Sequence, residues 1–195
     1  PHLFSSAASD VYKRQPSALG RTGKMYVCEH FDVEPDMLVI GKGLGGGVFP
    51  MAALLANDAL NVVEDKALGH YTHEKSSVGC AAALATIDCL MEDGLLDNAV
   101  TLGNSGLQQL EALKLKHPII HEVRGLGLFY GIDLRVDGKP ASNEADSILY
   151  HSLSNGLSYK VGGGSILTLC PPLTINNEEL TKAFNIIENG INSLN

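Results

Sequence analysis

The chain has 195 residues, 45% hydrophobic and 18% charged, with a formal net charge of −8. That much apolar material can fill one large or two small cores. The acidic balance, without a basic stripe or interleaved aromatics, argues against a nucleic-acid partner, and no apolar run reaches the length of a membrane span.

Residues 1–15 show neither helical nor strand periodicity and lack an initiator methionine, and Ser9 to Gln15 resembles translated adapter sequence. This stretch reads as a non-native leader, and the chain as an incomplete fragment. From Thr22 to Val33 the spacing of Met25, Tyr26, Phe31 and Val33 predicts a short helix, which Pro35 stops. Met37 to Ile40 is an apolar run suited to a strand covered on both faces. Five of the seven residues from Gly41 to Gly47 are glycine, and Met51 to Ala56 reads as a second buried strand. Asn57 or Asp58 can cap a short helix to about Glu64, and Gly69 to Ser77 is polar and loop-like.

Val78 to Met91, apolar on most sides, reads as a core helix that Gly94 ends. A second helix spans Leu95 to Lys116 and closes at Pro118. Ile119 to Val123 and Leu126 to Leu134 read as strands, Val136 to Pro140 as a turn. Ser142 or Asn143 can cap a helix from Glu144 to Asn155. Ser165 to Leu169 is a strand stopped by Pro171 and Pro172, and a last helix runs from Asn176 or Asn177 to Leu194. Residues 16–94 thus look like part of an α/β layer, and residues 95–195 like a linking helix with a small α+β unit. Cys28, Cys80, Cys89 and Cys170 form no CxxC pair, a pattern of reduced thiols in a cytosolic protein.

Lys42 is the one charged residue inside the glycine run. An amine at the end of a buried strand is poorly hydrated, which lowers its pKa toward the range where the neutral form attacks a carbonyl. A Schiff-base lysine and a flexible loop with a solvated lysine both fit this stretch. Other motifs fall away. Gly41-Lys42-Gly43-Leu44-Gly45-Gly46 matches G-x-G-x-x-G, but Pro50 and a strand follow where a dinucleotide site needs a helix. Gly20-Arg21-Thr22-Gly23-Lys24 lacks both the first glycine and the final hydroxyl of a P-loop, since Ala18 and Met25 stand there. His70, His73 and Glu74 lack the H-E-x-x-H order of a zinc helix; a polar loop ahead of a helix fits either anion binding or a plain solvated loop.

Taken together, Gly20-Arg21-Thr22-Gly23-Lys24-Met25, Cys28-Glu29-His30, Pro35-Asp36-Met37, the Gly41 to Gly47 run, Val123-Arg124-Gly125-Leu126-Gly127 and Pro171-Pro172-Leu173 resemble the class III aminotransferases. The resemblance implies a pyridoxal-phosphate enzyme of α/β fold type I, represented here by the end of the large α/β domain plus the small α+β C-terminal domain. It implies that Lys42 forms the Schiff base with pyridoxal 5'-phosphate and moves the proton between substrate and cofactor. It also implies that Thr72 reaches the cofactor phosphate of the neighbouring subunit, which makes the active site a property of a homodimer. The substrates implied are an amine or amino-acid donor and an oxo acid.

Two departures matter. Thr72 is followed by His73-Glu74-Lys75-Ser76-Ser77 rather than Phe-Gly-Gly-Asn-Pro, and Thr168 stands where members that grip an amino-acid carboxylate often carry arginine. Arg124 reads as a structural residue rather than its substitute. The resemblance also implies that the same lysine and cofactor can serve elimination from amino-alcohol phosphates or phosphonates, as an ammonia-lyase or phospho-lyase, or racemisation, and a non-catalytic binding protein could keep the fold. The aspartate that pairs with the pyridine nitrogen is expected ahead of Gly20, where the leader stands, so the 195-residue chain alone should bind the cofactor weakly or not at all.

Overall fold

The computed structural model describes residues 19–60, 62–63, 66, 69 and 74–194 and divides into two units. The first comprises the described residues up to Gly20 and those from Lys24 to Gly94, and the second joins Arg21–Gly23 to the residues from Leu95 onward.

In the first unit, the helix expected from Thr22 to Val33 shrinks to a 3₁₀ turn at Val27–Phe31. Gly20 and Gly23 take φ of +83° and +85°, and Asp32 closes the turn at φ +51°, so left-handed residues break the helix on both sides. Strand β1, Met37–Ile40, pairs antiparallel with β2, Ala53–Ala56, in a two-stranded sheet. A second 3₁₀ turn, Lys42–Gly45, lies between them. After β2, the Asn57 carboxamide oxygen accepts from Ala59 N–H at 3.0 Å and starts a turn at Asp58–Leu60. Helix α1, Ser77–Glu92, begins at Ser76, whose Oγ accepts from Gly79 N–H at 3.4 Å.

Neither strand is covered on both faces. Ile40 is buried, but Met37 is 53% exposed and Leu54 59%. Of α1, only Gly79, Ala83 and Leu90 are buried. The cause is how α1 packs: it lies chiefly against the Lys42–Gly45 turn rather than across the sheet, and an apolar strand face stays open until something lies on it.

The second unit has a regular core. Helix α2, Leu95–Lys116, ends where the sequence predicts. Then come β3, Ile120–Gly125; β4, Tyr130–Val136; β5, Lys139–Pro140; helix α3, Ser142–Ser154; β6, Lys160–Gly162; β7, Ile166–Leu169; and helix α4, Asn177–Asn192. The sheet order is β3-β4-β7-β6, all antiparallel, with β5 paired to β4. The strand expected from Leu126 starts instead at Tyr130, because Gly127 at φ +55° puts the preceding residues in a turn. Asp137 and Gly138, both at positive φ, form the two-residue β4–β5 hairpin loop. Ser142 is the first helical residue of α3, and its cap is Ala141, with no side-chain hydrogen bond. Asn176 and Glu179 close α4 with a reciprocal capping box.

One face of the sheet carries Tyr130, Ile132, Leu134, Leu167 and Leu169, which with Leu110, Ile148, Leu180 and Ile187 make the core. Tyr130 and Phe184 meet edge to face, with ring centroids 5.8 Å apart. Burial pushes the Tyr130 pKa up to about 12, so its hydroxyl stays neutral and donates to the Leu102 carbonyl at 3.0 Å.

Glu188 on α4 ties down the end of α2. Its Oε1 accepts from His117 Nε2 at 3.2 Å and Lys116 Nζ at 3.1 Å, and the His117 bond is the main cause that lowers its pKa. A carboxyl with a lowered folded pKa contributes stability above its unfolded pKa and loses it as pH falls through the folded one. Stability is therefore expected to drop on acidification through and below the ordinary carboxylate range, and Glu188→Gln should cost about 0.5–1 kcal/mol at neutral pH. Urea midpoints of both chains from neutral to acid pH check this; an equal gap at every pH would contradict it.

Candidate functional site

The Lys42 turn is built from close contacts that only small residues permit. Gly41 leaves β1 extended, at φ −153° and ψ −165°, and Lys42 then adopts φ +51°. A non-glycine residue in this left-handed region carries roughly 1–2 kcal/mol of strain, and such strain concentrates at functional positions. Gly46 N–H bonds to the Gly43 carbonyl at 2.9 Å, and Val48 and Phe49 N–H both bond to the Gly45 carbonyl at 3.1 Å. Gly46 combines φ +65° with a close approach: a Cβ there would lie 2.9 Å from Thr86 Oγ1 on α1. Leu44 is buried and Lys42 is exposed.

Exposure corrects the expected desolvation of Lys42. The preceding Ile40 and the following Leu44 take the buried positions, and the left-handed kink turns Lys42 out of the strand's alternation. What the geometry offers is a primary amine at a strand end, presented by a rigid turn. Gly47, farther along the loop, borders open space, with nothing within 4 Å of where its Cβ would be.

Thr72, His70 and His73 lie outside the described residues. Glu74 is described and pairs with Lys75 at 3.8 Å on the surface. Among the described residues no three His, Cys, Asp or Glu side chains converge on a metal position. The four cysteines carry free thiols. No helix among the described residues is long and apolar enough to cross a membrane.

The Gly20 to Gly23 piece, readable from the sequence only as a motif, has a structural task in the second unit. The Arg21 carbonyl accepts from Leu128 N–H at 2.9 Å, and Arg21 Nη1 donates to the Pro171 carbonyl. Burial pulls the Arg21 pKa down, against a small opposing effect of Cys170. Thr22 is 2% exposed. Arg124 sits in β3 opposite Gly131, and its Nη1 donates to Glu122 Oε2 at 2.8 Å on the half-exposed sheet face. Thr168, half-buried in β7, faces the other side of Gly131. Sequence reasoning did not find β6 or its Lys160, which pairs with Thr168; alternation in a three-residue strand carries too little signal.

The profile described as class III aminotransferase matches residues 17–191. The (R)-1-hydroxy-2-aminoethylphosphonate ammonia-lyase of Vibrio splendidus is 42% identical over 90% of this chain and 37% of its own length. Among solved structures, the acetylornithine aminotransferase of Elizabethkingia anophelis superposes with a TM-score of 0.83 at 36% identity, over 91% of this chain and 46% of that one. The ornithine aminotransferase of Toxoplasma gondii, a structure described with partial occupancy of PLP at its active site, gives 0.82 at 27% identity over 92% and 42%. The chain spans less than half the length of each of these three relatives.

Proposed function

The chain belongs to the class III aminotransferase family, and from that premise we propose that the whole enzyme is a pyridoxal-phosphate-dependent aminotransferase in which Lys42 is the Schiff-base lysine. The observation that carries this is the exposed Lys42 amine on a left-handed turn at the end of β1. The residues present fit the cofactor: a primary amine is the donor that an aldehyde carbon requires, and Lys42 presents an exposed one. When bound, pyridoxal phosphate supplies the electron sink that lets a bond at the substrate's amine-bearing carbon break. Lys42 would hold the cofactor through its aldehyde carbon, and its Nζ, when not so engaged, would be the group that carries a proton at the reacting carbon. The amino group passes from an amine or amino-acid donor to an oxo acid.

The same reading makes the enzyme a cytoplasmic homodimer, in which Thr72 of one subunit reaches the cofactor phosphate held by the other. Free thiols on all four cysteines support a reducing compartment. Mixing inactive Lys42→Ala and Thr72→Ala subunits should restore activity, because one site of each hybrid dimer then has both residues intact. No recovery on mixing would contradict a shared site.

Borohydride reduction of the loaded enzyme followed by peptide mapping should find the pyridoxyl group on Lys42; an adduct on any other lysine would overturn the assignment. An ammonia-lyase is the second reading, favoured by the Vibrio splendidus relative and by Thr168 in place of a carboxylate-gripping arginine. Ammonia and a carbonyl product without added oxo acid would select it over transamination. Absence of turnover with any amine would leave only a binding protein of the same fold.

A further inference from the structure

We propose that the Asn155-Gly156 pair at the end of α3 is a self-modification site: in the folded protein it deamidates through a cyclic imide, and the conversion loosens the connection from α3 to β6. The proposal goes beyond the aminotransferase reading, since it involves neither the cofactor nor Lys42.

Such chemistry needs an asparagine followed by a residue with no side chain to hinder its amide nitrogen, exposed to water, on a backbone free to bring that nitrogen to Cγ. Asn-Gly occurs twice in the sequence, at Asn155-Gly156 and at Asn189-Gly190. Their surroundings differ.

At the first pair the helix end itself requires the glycine. Helix α3 closes in a Schellman motif, in which Leu157 N–H bonds to the Ser152 carbonyl at 2.9 Å and Gly156 N–H to the Leu153 carbonyl at 3.1 Å, with Gly156 at φ +82°. Asn155 is the C-cap, and its Nδ2 donates to the His151 carbonyl at 2.8 Å. Both residues of the pair are exposed, and nothing lies within 4 Å of the Gly156 Cβ position. Freeing the Gly156 nitrogen takes the opening of one bond at an exposed helix end, toward the low end of local opening free energies.

At the second pair the attacking nitrogen is held in the core. Gly190 is buried inside α4, where a Cβ would lie 3.1 Å from Ile148 Cγ2 and 3.4 Å from His151 Cδ2. Ser193 N–H bonds to the Asn189 carbonyl at 3.1 Å, and Ser193 Oγ donates to the Gly190 carbonyl at 2.7 Å. Moving Gly190 toward Asn189 Cγ would pull the end of α4 off α3.

In the step itself the Gly156 nitrogen attacks Asn155 Cγ. The new N–Cγ bond forms, the Cγ–Nδ2 bond breaks, and Nδ2 leaves as ammonia with the proton that Gly156 gives up. Water then opens the imide at either carbonyl, yielding aspartate or isoaspartate with no change of oxidation state. Either product is a carboxylate, which accepts only, so the bond to the His151 carbonyl is lost and a negative charge stands at the C-terminus of α3, where it is unfavourable. Isoaspartate also lengthens the backbone by one methylene. That slackens the segment in which the Tyr159 hydroxyl meets Ser152 Oγ at 3.1 Å.

Incubation of the folded protein in mildly alkaline buffer, beside a sample unfolded in guanidinium, followed by peptide mapping by mass spectrometry, tests this. The unfolded sample sets the intrinsic rate at both pairs. In the folded protein Asn155 should convert about tenfold or more faster than Asn189, each step of about 1.4 kcal/mol in opening free energy being tenfold in rate. Asn155 intact in the folded protein while the unfolded sample converts, or equal conversion at both pairs of the folded protein, would overturn the proposal. The guanidinium midpoint should fall as Asn155 converts, and that of Asn155→Ser should hold over the same incubation. Equal decline in both proteins, or no decline once Asn155 has converted, would overturn it as well. Because the readout involves no turnover, its failure is separate from failure of the aminotransferase reading.

Discussion

Lys42→Ala in the whole enzyme is expected to lower kcat by about 10²–10⁴-fold, the usual contribution of a positioned proton-transfer group, and to eliminate the borohydride-stable cofactor label. The turn places one amine at the end of β1, and its neighbours are glycine and leucine, which can neither hold the cofactor nor carry a proton. Lys42→Arg should fail equally, because a guanidinium does not deprotonate in proteins. A small primary amine added to the Lys42→Ala enzyme should restore part of the rate by carrying the proton, a readout that a purely structural lysine would not give. Unchanged turnover in Lys42→Ala would end the assignment. The backbone adds an independent check. At φ +51° alanine inherits the strain and glycine relieves it, so Lys42→Gly should be as inactive as Lys42→Ala but more stable by up to about 1 kcal/mol.

Gly103→Ala is expected to destabilise the second unit by about 3 kcal/mol, at the upper end of what overpacking ordinarily costs. Inside a helix the same change normally gains about 1 kcal/mol, so the sign is the test. At Gly103, α2 meets the turn before β4 backbone to backbone: a Cβ would lie 2.5 Å from Gly127 Cα and 2.7 Å from its carbonyl oxygen. Gly127 cannot retreat, because its own Cβ position is 2.6 Å from the Arg21 carbonyl oxygen and 2.7 Å from the Thr22 carbonyl carbon. One turn along α2, a Cβ on Gly106 would collide at 2.3 Å with the Tyr130 hydroxyl that bonds to Leu102. Urea unfolding of Gly103→Ala measures the effect, and a raised midpoint would show that the two segments can separate cheaply.

Where local physics dominates, reading the sequence and observing the structure agree. Helix α2 ends at the expected residues because its apolar spacing and Pro118 are local signals, and Asn176 with Glu179 caps α4 in the same way. Strand β1 has the expected bounds. The helix expected from Thr22 to Val33 fails because Gly23 and Asp32 take left-handed conformations, which apolar spacing does not report. The desolvated lysine fails for a related reason: burial belongs to whatever covers a strand, and here α1 covers the glycine turn instead.

By itself the sequence determined the family and singled out Lys42, since a lysine inside a glycine run and an ordered set of short motifs are written along the chain. Only the tertiary structure decided that Lys42 is exposed on a left-handed kink, that Gly103 and Gly127 touch, and that Arg124, Gly131, Thr168 and Lys160 form one row. These are facts of register and close approach between distant segments. A one-residue slip in strand pairing would send each of those side chains to the opposite face, and no periodicity within a single strand specifies which neighbour it meets.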